Sequence, residues 1–336
     1  MNATYIEAAK RIAGEELAFE LAQDVEACES LLSGILASPS ETVESLGRHV
    51  SEAGGKRLRP LLVSLSARAT GRDFDADRVR KIGACVEMVH MATLVHDDVI
   101  DEAEVRRGRP SAASIWGNTA AILTGDVLLA KAMQILAEDG DLRIIRTIAG
   151  AVVDMSQGEV MEVEVRGRFD LALEDHLEIL RLKTATFMAA CCEAGGLLAD
   201  ADEGTCVALR TFGNAIGIAF QIADDLLDYR GEDSRTGKPK ATDFREACPT
   251  LPLIALREKL SHEEEAFVRS RFGDRVSDED LDMVTSWMSE RGAFDAASRT
   301  GEDYGNEAIL ALQRLPECSA RELLVAITGF VSKRDS

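Results

Sequence analysis

Apolar positions recur at three- and four-residue steps along most of this chain. Between Lys81 and Asp101 they fall at Ile82, Cys85, Val86, Val89 and Thr93, the spacing of one face of an α-helix. The same pattern predicts helices over Tyr5–Leu36, Thr42–Glu52, Pro60–Thr70, Ile115–Ala137, Leu142–Val165 and Leu173–Leu197. It continues over Glu203–Tyr229, Pro252–Leu260, Asp278–Glu290 and Gly292–Leu315. Pro60 and Pro252 suit first-turn positions, where the missing N–H costs nothing, and Asp278 and Glu279 suit a helix N-terminus. Nothing reads as a convincing period-2 strand, and no internal repeat stands out. The fold class expected is all-α.

Three polar interruptions break the pattern. Ser51–Pro60 holds a Gly-Gly break followed by three basic residues, Glu102–Ser111 is a second basic break, and Arg230–Pro249 is a long mixed-charge loop. None separates blocks of different composition, so residues 1–336 read as a single large helical domain. Composition agrees: 7 prolines and 5% aromatics are too few for a Pro-punctuated sandwich or barrel.

Charge narrows the partners. The balance of 38 basic and 59 acidic residues leaves −21, which argues against nucleic acid, because counterion release needs a basic face. The cysteines are Cys28, Cys85, Cys191, Cys192, Cys206, Cys248 and Cys318, with no Cys-x-x-Cys pair. They read as buried reduced thiols in a reducing compartment. No uninterrupted apolar run approaches the roughly 20 residues of a membrane span, and acids interrupt the N-terminal stretch, so a cytoplasmic protein is expected.

Two acidic clusters stand at predicted helix ends. His96–Asp101 reads H-D-D-V-I-D, and Asp224–Asp228 repeats the D-D-x-x-D spacing. Asp97 and Asp101 are four apart and face one way, with Asp98 about a quarter turn off. Thr93, His90 and Val86 lie back along that face. In the second copy Gln221, Asp224, Asp225 and Asp228 share a side. Like charges at this spacing repel, and acids near a helix C-terminus oppose its dipole. Two such clusters behind apolar helices imply cations nearby. Oxygen donors without His or Cys suit Mg²⁺, which takes one or two carboxylates plus substrate phosphates.

Lys56, Arg57 and Arg59, and then Arg106, Arg107 and Arg109, crowd two short turns. In so acidic a chain these read as anion sites, with Arg offering a fork that matches phosphate oxygens. Two anion sites beside two Mg²⁺ clusters point to diphosphate chemistry with two anionic substrates.

The residues then resemble a known family, the trans-isoprenyl diphosphate synthases (polyprenyl synthetases). The match runs in order through Gly54–Pro60, His96–Asp101, Arg106–Gly108, Gly125–Asp126, Lys183–Thr184, Phe220–Asp228, Gly237–Pro239 and Thr250–Leu253. The resemblance implies an all-α bundle around a deep central cavity, usually a homodimer. It implies that Asp97, Asp101, Asp224 and Asp228 bind Mg²⁺ bridging the allylic diphosphate. Arg106, Lys183, Thr184, Gln221 and Lys238 would contact that substrate, and Lys56, Arg59, His90 and Arg107 would hold isopentenyl diphosphate. Asp97, Asp101, Asp224 and Lys183 would serve the ionisation step. Two departures stand out: Ala241 where the family usually has Gly, and Ala247–Cys248 where it has Gly-Lys.

Three other readings compete. A terpene cyclase would need no second basic pocket, a non-catalytic subunit would have lost an aspartate cluster, and a short-chain farnesyl or geranylgeranyl diphosphate synthase would need a floor under its substrate. A product chain pinned at Asp97 and Asp101 runs back along its helix, and four or five residues upstream, roughly 6–7.5 Å deeper, stand only Thr93 and Ala92. Short-chain relatives tend to place bulky aromatics there. The tail is therefore expected to reach Val89 and beyond, giving a medium- or long-chain all-trans product of the kind used for quinone side chains. Alternatively, Leu123, Val127 or Met133 on the next helix supplies the floor. No membrane span is expected, with peripheral contact at most for product release.

Overall fold

The computed structural model describes residues 3–230, 240–273 and 276–332. Lys238 and the Gly237–Pro239 motif lie outside the described residues. The order is α1 (Ala3–Ala13), α2 (Glu15–Leu36), α3 (Glu41–Glu52), α4 (Leu58–Ala69) and α5 (Ala76–Ile100). A two-rung antiparallel hairpin, β1 (Val105–Arg106) and β2 (Arg109–Pro110), precedes α6 (Ala112–Trp116), α7 (Asn118–Asp139), α8 (Leu142–Val165) and α9 (Leu173–Leu180). A π-helical turn, Arg181–Ala185, leads into α10 (Thr186–Leu198) and α11 (Glu203–Arg230). Then follow α12 (Thr242–Arg245), α13 (Leu251–Arg257), α14 (His262–Arg271), α15 (Asp278–Glu290), α16 (Ala293–Leu312) and α17 (Ser319–Ser332). The all-α class holds.

The helices follow the apolar periodicity, and they depart from it where backbone chemistry intervenes. The run Tyr5–Leu36 divides at Gly14 and the run Ile115–Ala137 at Gly117, both at positive φ. α5 begins earlier than its apolar pattern because Asp75 accepts hydrogen bonds from the N–H groups of Asp77 and Arg78. Leu173–Leu197 carries the π turn, an inserted residue that a count of apolar steps cannot register. Periodicity missed α14, whose one fully buried residue is Val268; a capping box between Ser261 and Glu264 starts it. It also missed α17 and the hairpin.

Contacts divide the chain into two compact units. The first comprises Met1–Gly150, Ala190–Arg210 and Gln313–Leu324. In it the middle of α5 is buried through Ile82, Val86, Met88 and Val89, and Leu46, Val95, Ala112 and Ala121 form a satellite core. The second comprises Ala151–Ala189, Thr211–Leu312 and Val325–Ser336. Its core gathers Tyr229, Phe244, Leu253 and Leu256 with Val268, Val284 and Phe294.

Cys28, Cys85, Cys191, Cys192 and Cys206 are buried free thiols, while Cys248 and Cys318 are partly exposed. By length and composition α7 and α11 are apolar enough to cross a membrane. The most apolar window of α11 is 67% buried, but that of α7 only 33%.

Candidate active site

The first unit assembles the basic breaks around the end of α5. Arg57 has φ 47° at the N-terminus of α4, and its guanidinium is buried. It donates to Glu29 of α2 at 2.7 Å and to Glu87 of α5 at 2.7 Å. Burial opposes its charge, but the two carboxylates outweigh that and raise its pKa. Arg57 is thus the internal anchor of the turn that presents Lys56 and Arg59. Arg107, at φ 53° on the tip of the hairpin, lays its guanidinium over Gly55. His90 stands among these cations. Burial, then Arg59, Arg107, Arg106 and Arg57, hold its imidazole well below its ordinary pKa, so it is neutral at pH 7. The structure therefore brings Arg59, His90 and Arg107 together, with Lys56 exposed on the adjoining turn.

The first acidic cluster divides by burial. Asp97 and Asp101 reach solvent, whereas Asp98 is 3% exposed and accepts from Nε of Arg106. Arg106, assigned to the allylic diphosphate, is held by an inward carboxylate. His96 of the same motif ties α5 to α7, with Nε2 3.2 Å from the Ile122 carbonyl and 3.5 Å from Asp126. Of the chain-length positions, Val89 and Ala92 are buried, and Thr93 is half-buried with its hydroxyl donating to the His90 carbonyl at 2.9 Å.

The second unit repeats the burial pattern. Asp224 and Asp228 are partly exposed and Asp225 is 4% exposed, so residues on one side of the helix differ in burial. Both carboxylate oxygens of Asp228 accept backbone N–H groups, from Thr242 at 3.1 Å and Asp243 at 3.0 Å. Asp228 therefore tethers α12. Lys183 and Thr184 sit on the π turn. A Cβ on Gly158 of α8 would come within 2.5 Å of the Lys183 nitrogen, so glycine is what lets this turn approach. Lys183 pairs with Glu162 and with Glu159, the latter at 3.0 Å. Burial lowers its pKa, but the two glutamates outweigh that and raise it. Thr184 donates to Gln221 at 3.1 Å.

Beside these residues lies a cavity of about 80 Å³, lined among others by Glu162, His176, Lys183, Asp225, Asp243 and Cys248. Burial, then Asp228 and Asp225, push the Asp243 carboxyl well above its ordinary pKa. Burial, then Asp243 and Glu162, push the Cys248 thiol up to about 12. Cys248 is thus a neutral SH where the family carries a lysine. The two alanine departures also show: Ala241 has φ 52° and Ala247 φ 58°, the left-handed backbone that glycine adopts freely.

Asp98, Glu159, Glu162, His176, Asp225 and Asp243 were not singled out as site residues by sequence reading, and Arg57, read there as part of an anion site, is instead paired inward with Glu29 and Glu87. Arg57 and the middle aspartates stood inside the motifs, but only burial separates an inward charge from an outward one. Among the described residues no group of three or more His, Cys, Asp or Glu side chains is arranged to hold a metal alone. The outward pair Asp97 and Asp101, and Asp224 with Asp228, offer only hard oxygen donors. That donor set fits Mg²⁺ completed by substrate phosphates.

The polyprenyl synthetase family model matches residues 40–288. The chain is 35% identical over 315 residues to heptaprenyl diphosphate synthase component 2 of Geobacillus stearothermophilus, covering 94% of this chain and 97% of that one. It is 33% identical over 320 residues to the all-trans-nonaprenyl-diphosphate synthase (geranyl-diphosphate specific) of Rhodobacter capsulatus, covering 95% and 98%. A crystal structure of polyprenyl synthase from Caulobacter crescentus CB15, complexed with calcium and isoprenyl diphosphate, superimposes with TM-score 0.90 at 34% identity, covering 98% of each chain. This chain belongs to the polyprenyl synthetase family.

Proposed function

We propose that this protein is a Mg²⁺-dependent trans-prenyltransferase that adds isopentenyl diphosphate to an allylic diphosphate, giving a medium- or long-chain all-trans-polyprenyl diphosphate. The observation that carries the reading is the burial pattern of the two D-D-x-x-D clusters. Each leaves its first and last aspartates at least partly exposed and buries its middle one, and the first stands on the unit that groups Arg59, His90 and Arg107. A terpene cyclase has no use for that second anion pocket, and a non-catalytic subunit has no use for two intact clusters.

In this reading Lys56, Arg59, His90 and Arg107 hold isopentenyl diphosphate, with neutral His90 contributing a hydrogen bond rather than charge. Asp97, Asp101, Asp224 and Asp228 would hold Mg²⁺, which neutralises the departing diphosphate. Arg106, Lys183, Thr184 and Gln221 orient the allylic diphosphate. Its C–O bond breaks, the diphosphate leaves with the electron pair, and the alkene of isopentenyl diphosphate attacks the allylic cation. The proton lost from the new cation goes to the released diphosphate. None of these steps requires a protein nucleophile.

Two finer points belong to the same proposal. The heptaprenyl and nonaprenyl relatives favour a long product, as does the small Thr93. The exposed apolar residues Ile122 (42%) and Leu123 (58%) on α7 favour a homodimer packed through that helix, since a monomer rarely leaves so apolar a helix uncovered. The name component 2 borne by one relative keeps a second subunit as the rival to self-association. Sedimentation of wild type and Leu123→Asp, alone, separates the two: a dimer that the aspartate dissociates supports the proposal. Incubation with Mg²⁺, isopentenyl diphosphate and allylic primers of several lengths tests the activity. Absence of any elongated diphosphate overturns it.

A further inference from the structure

His176 enters none of the motifs, yet it stands against the second acidic cluster. It lies on α9 and is 4% exposed, as is Asp225 on α11. Its Nε2 stands 3.3 Å from Oδ2 of Asp225, and both atoms are buried without an aligned hydrogen bond, to each other or to any other described residue. Both residues line the cavity that also holds Glu162 and Asp243. An ionised carboxyl turned into so acidic an interior is costly unless a donor or cation meets it. The imidazole of His176 is placed to be that donor. Three residues on and on the same side of the helix, Asp228 is tied to the N–H groups of Thr242 and Asp243. The last turn of α11 is thus tethered at Asp225 and at Asp228, and these two tethers set the direction in which Asp224 points.

We propose that His176 is a positioning residue for the second aspartate cluster: by holding Asp225 inward it fixes the rotation of the turn that presents Asp224 to the metal-bound diphosphate. The role rests on the prenyltransferase reading above. It mirrors the first cluster, where Arg106 from the hairpin meets the inward Asp98. Partners of this kind leave the ligands in place but loosen their geometry when lost, typically weakening metal binding ten- to a hundred-fold.

The test uses inorganic pyrophosphate as probe and follows the thermal unfolding of the full-length protein as Mg²⁺ is titrated. His176→Phe and Asp225→Asn should each raise the Mg²⁺ concentration for half-maximal pyrophosphate stabilisation by about tenfold. His176→Gln, whose amide nitrogen reaches the same point as Nε2, should retain the wild-type midpoint. The KM for isopentenyl diphosphate should not move in any of them. The double variant H176F/D225N should be no worse than either single one, because both remove one contact. A wild-type midpoint in folded H176F, or effects that multiply in the double variant, overturns the proposal. If H176F does not fold, D225N decides: an unshifted midpoint there overturns the role equally. Wild-type protein assayed in parallel with allylic primers separates the two ideas, since absence of product there condemns the prenyltransferase reading and not the pairing.

Discussion

Asp98 and Arg106, eight residues apart in sequence, form an ion pair in which the carboxylate is buried and the guanidinium only partly so. The middle residue of the first aspartate cluster therefore holds an arginine, while its neighbours Asp97 and Asp101 face outward. The same division of labour in the second cluster makes a simple distinction testable. Asp97→Ala or Asp224→Ala should abolish turnover with little change in thermal stability, because each removes an outward donor. Asp98→Ala should leave Arg106 without its partner and cost about 1–3 kcal/mol of stability. Circular dichroism melts beside initial rates check this. A turnover-competent Asp97→Ala at saturating Mg²⁺ contradicts the metal assignment.

Arg57 and Arg107 should respond in opposite ways although both belong to basic breaks. Arg107→Ala is expected to raise the KM for isopentenyl diphosphate with the fold intact, since its guanidinium caps an exposed turn. Arg57→Ala strands Glu87, which is 3% exposed, and should cost about 3–5 kcal/mol. Urea unfolding and steady-state kinetics on the two variants distinguish an anchor from a ligand.

Much of this was legible in the chain itself, for a physical reason. Helices such as Leu142–Val165 and Asp278–Glu290 bury one stripe of a 3.6-residue repeat, so their bounds follow from apolar spacing alone. What spacing cannot carry is the third dimension of a charge. Asp225 looks like Asp224 in sequence, and Arg57 looks like Lys56. Only the elements packed against them, α9 in the one case and α2 and α5 in the other, decide which is inward. The π turn at Lys183 escapes for a related reason: one inserted residue changes the face on which Lys183 and Thr184 lie without changing composition.

The alanines at positive φ give a stability prediction. Left-handed backbone costs a non-glycine residue about 1–2 kcal/mol, against which glycine loses about 0.4–1 kcal/mol through the unfolded chain. Ala247 is partly exposed, so Ala247→Gly should stabilise by about 0.5–1 kcal/mol. Ala241 is fully buried, and losing its methyl forfeits about 0.8 kcal/mol of burial. Ala241→Gly should therefore be close to neutral. Paired urea titrations of the two variants measure the contrast, and equal gains in both would contradict it.

His90 sets an acid limit. Its folded pKa lies below its unfolded value of about 6.5, so the unfolded chain binds the extra proton and stability must fall as pH drops through that value. The contribution is fully present above pH 7. Wild type should lose more stability than His90→Gln between pH 7.5 and pH 5.5, approximately, measured as the shift in Tm. Parallel losses in both proteins would mean that another group governs the acid limb.

The product length follows from the one chain-length position that combines small size with partial exposure. Val89 and Ala92 are buried in α5, so a phenylalanine at Ala92 would overpack a filled interior, at about 1–3 kcal/mol. Thr93 is half-buried and shares the face of His90, whose carbonyl its hydroxyl meets. It lies four residues upstream of Asp97, about 6 Å deeper along the helix, on the side where an elongating tail must pass. Thr93→Phe should therefore shorten the product by several isoprene units while the first condensation keeps its rate, since the aromatic ring obstructs only a tail that has already grown. Leu123 is a poor substitute floor within one chain because it is 58% exposed; Leu123→Ala should leave the product distribution unchanged if the floor belongs to α5. Chromatography of dephosphorylated products from wild type, Thr93→Phe and Leu123→Ala decides it. A wild type that stops at farnesyl or geranylgeranyl diphosphate, or a Thr93→Phe enzyme with the wild-type product, removes Thr93 from the determinants of length.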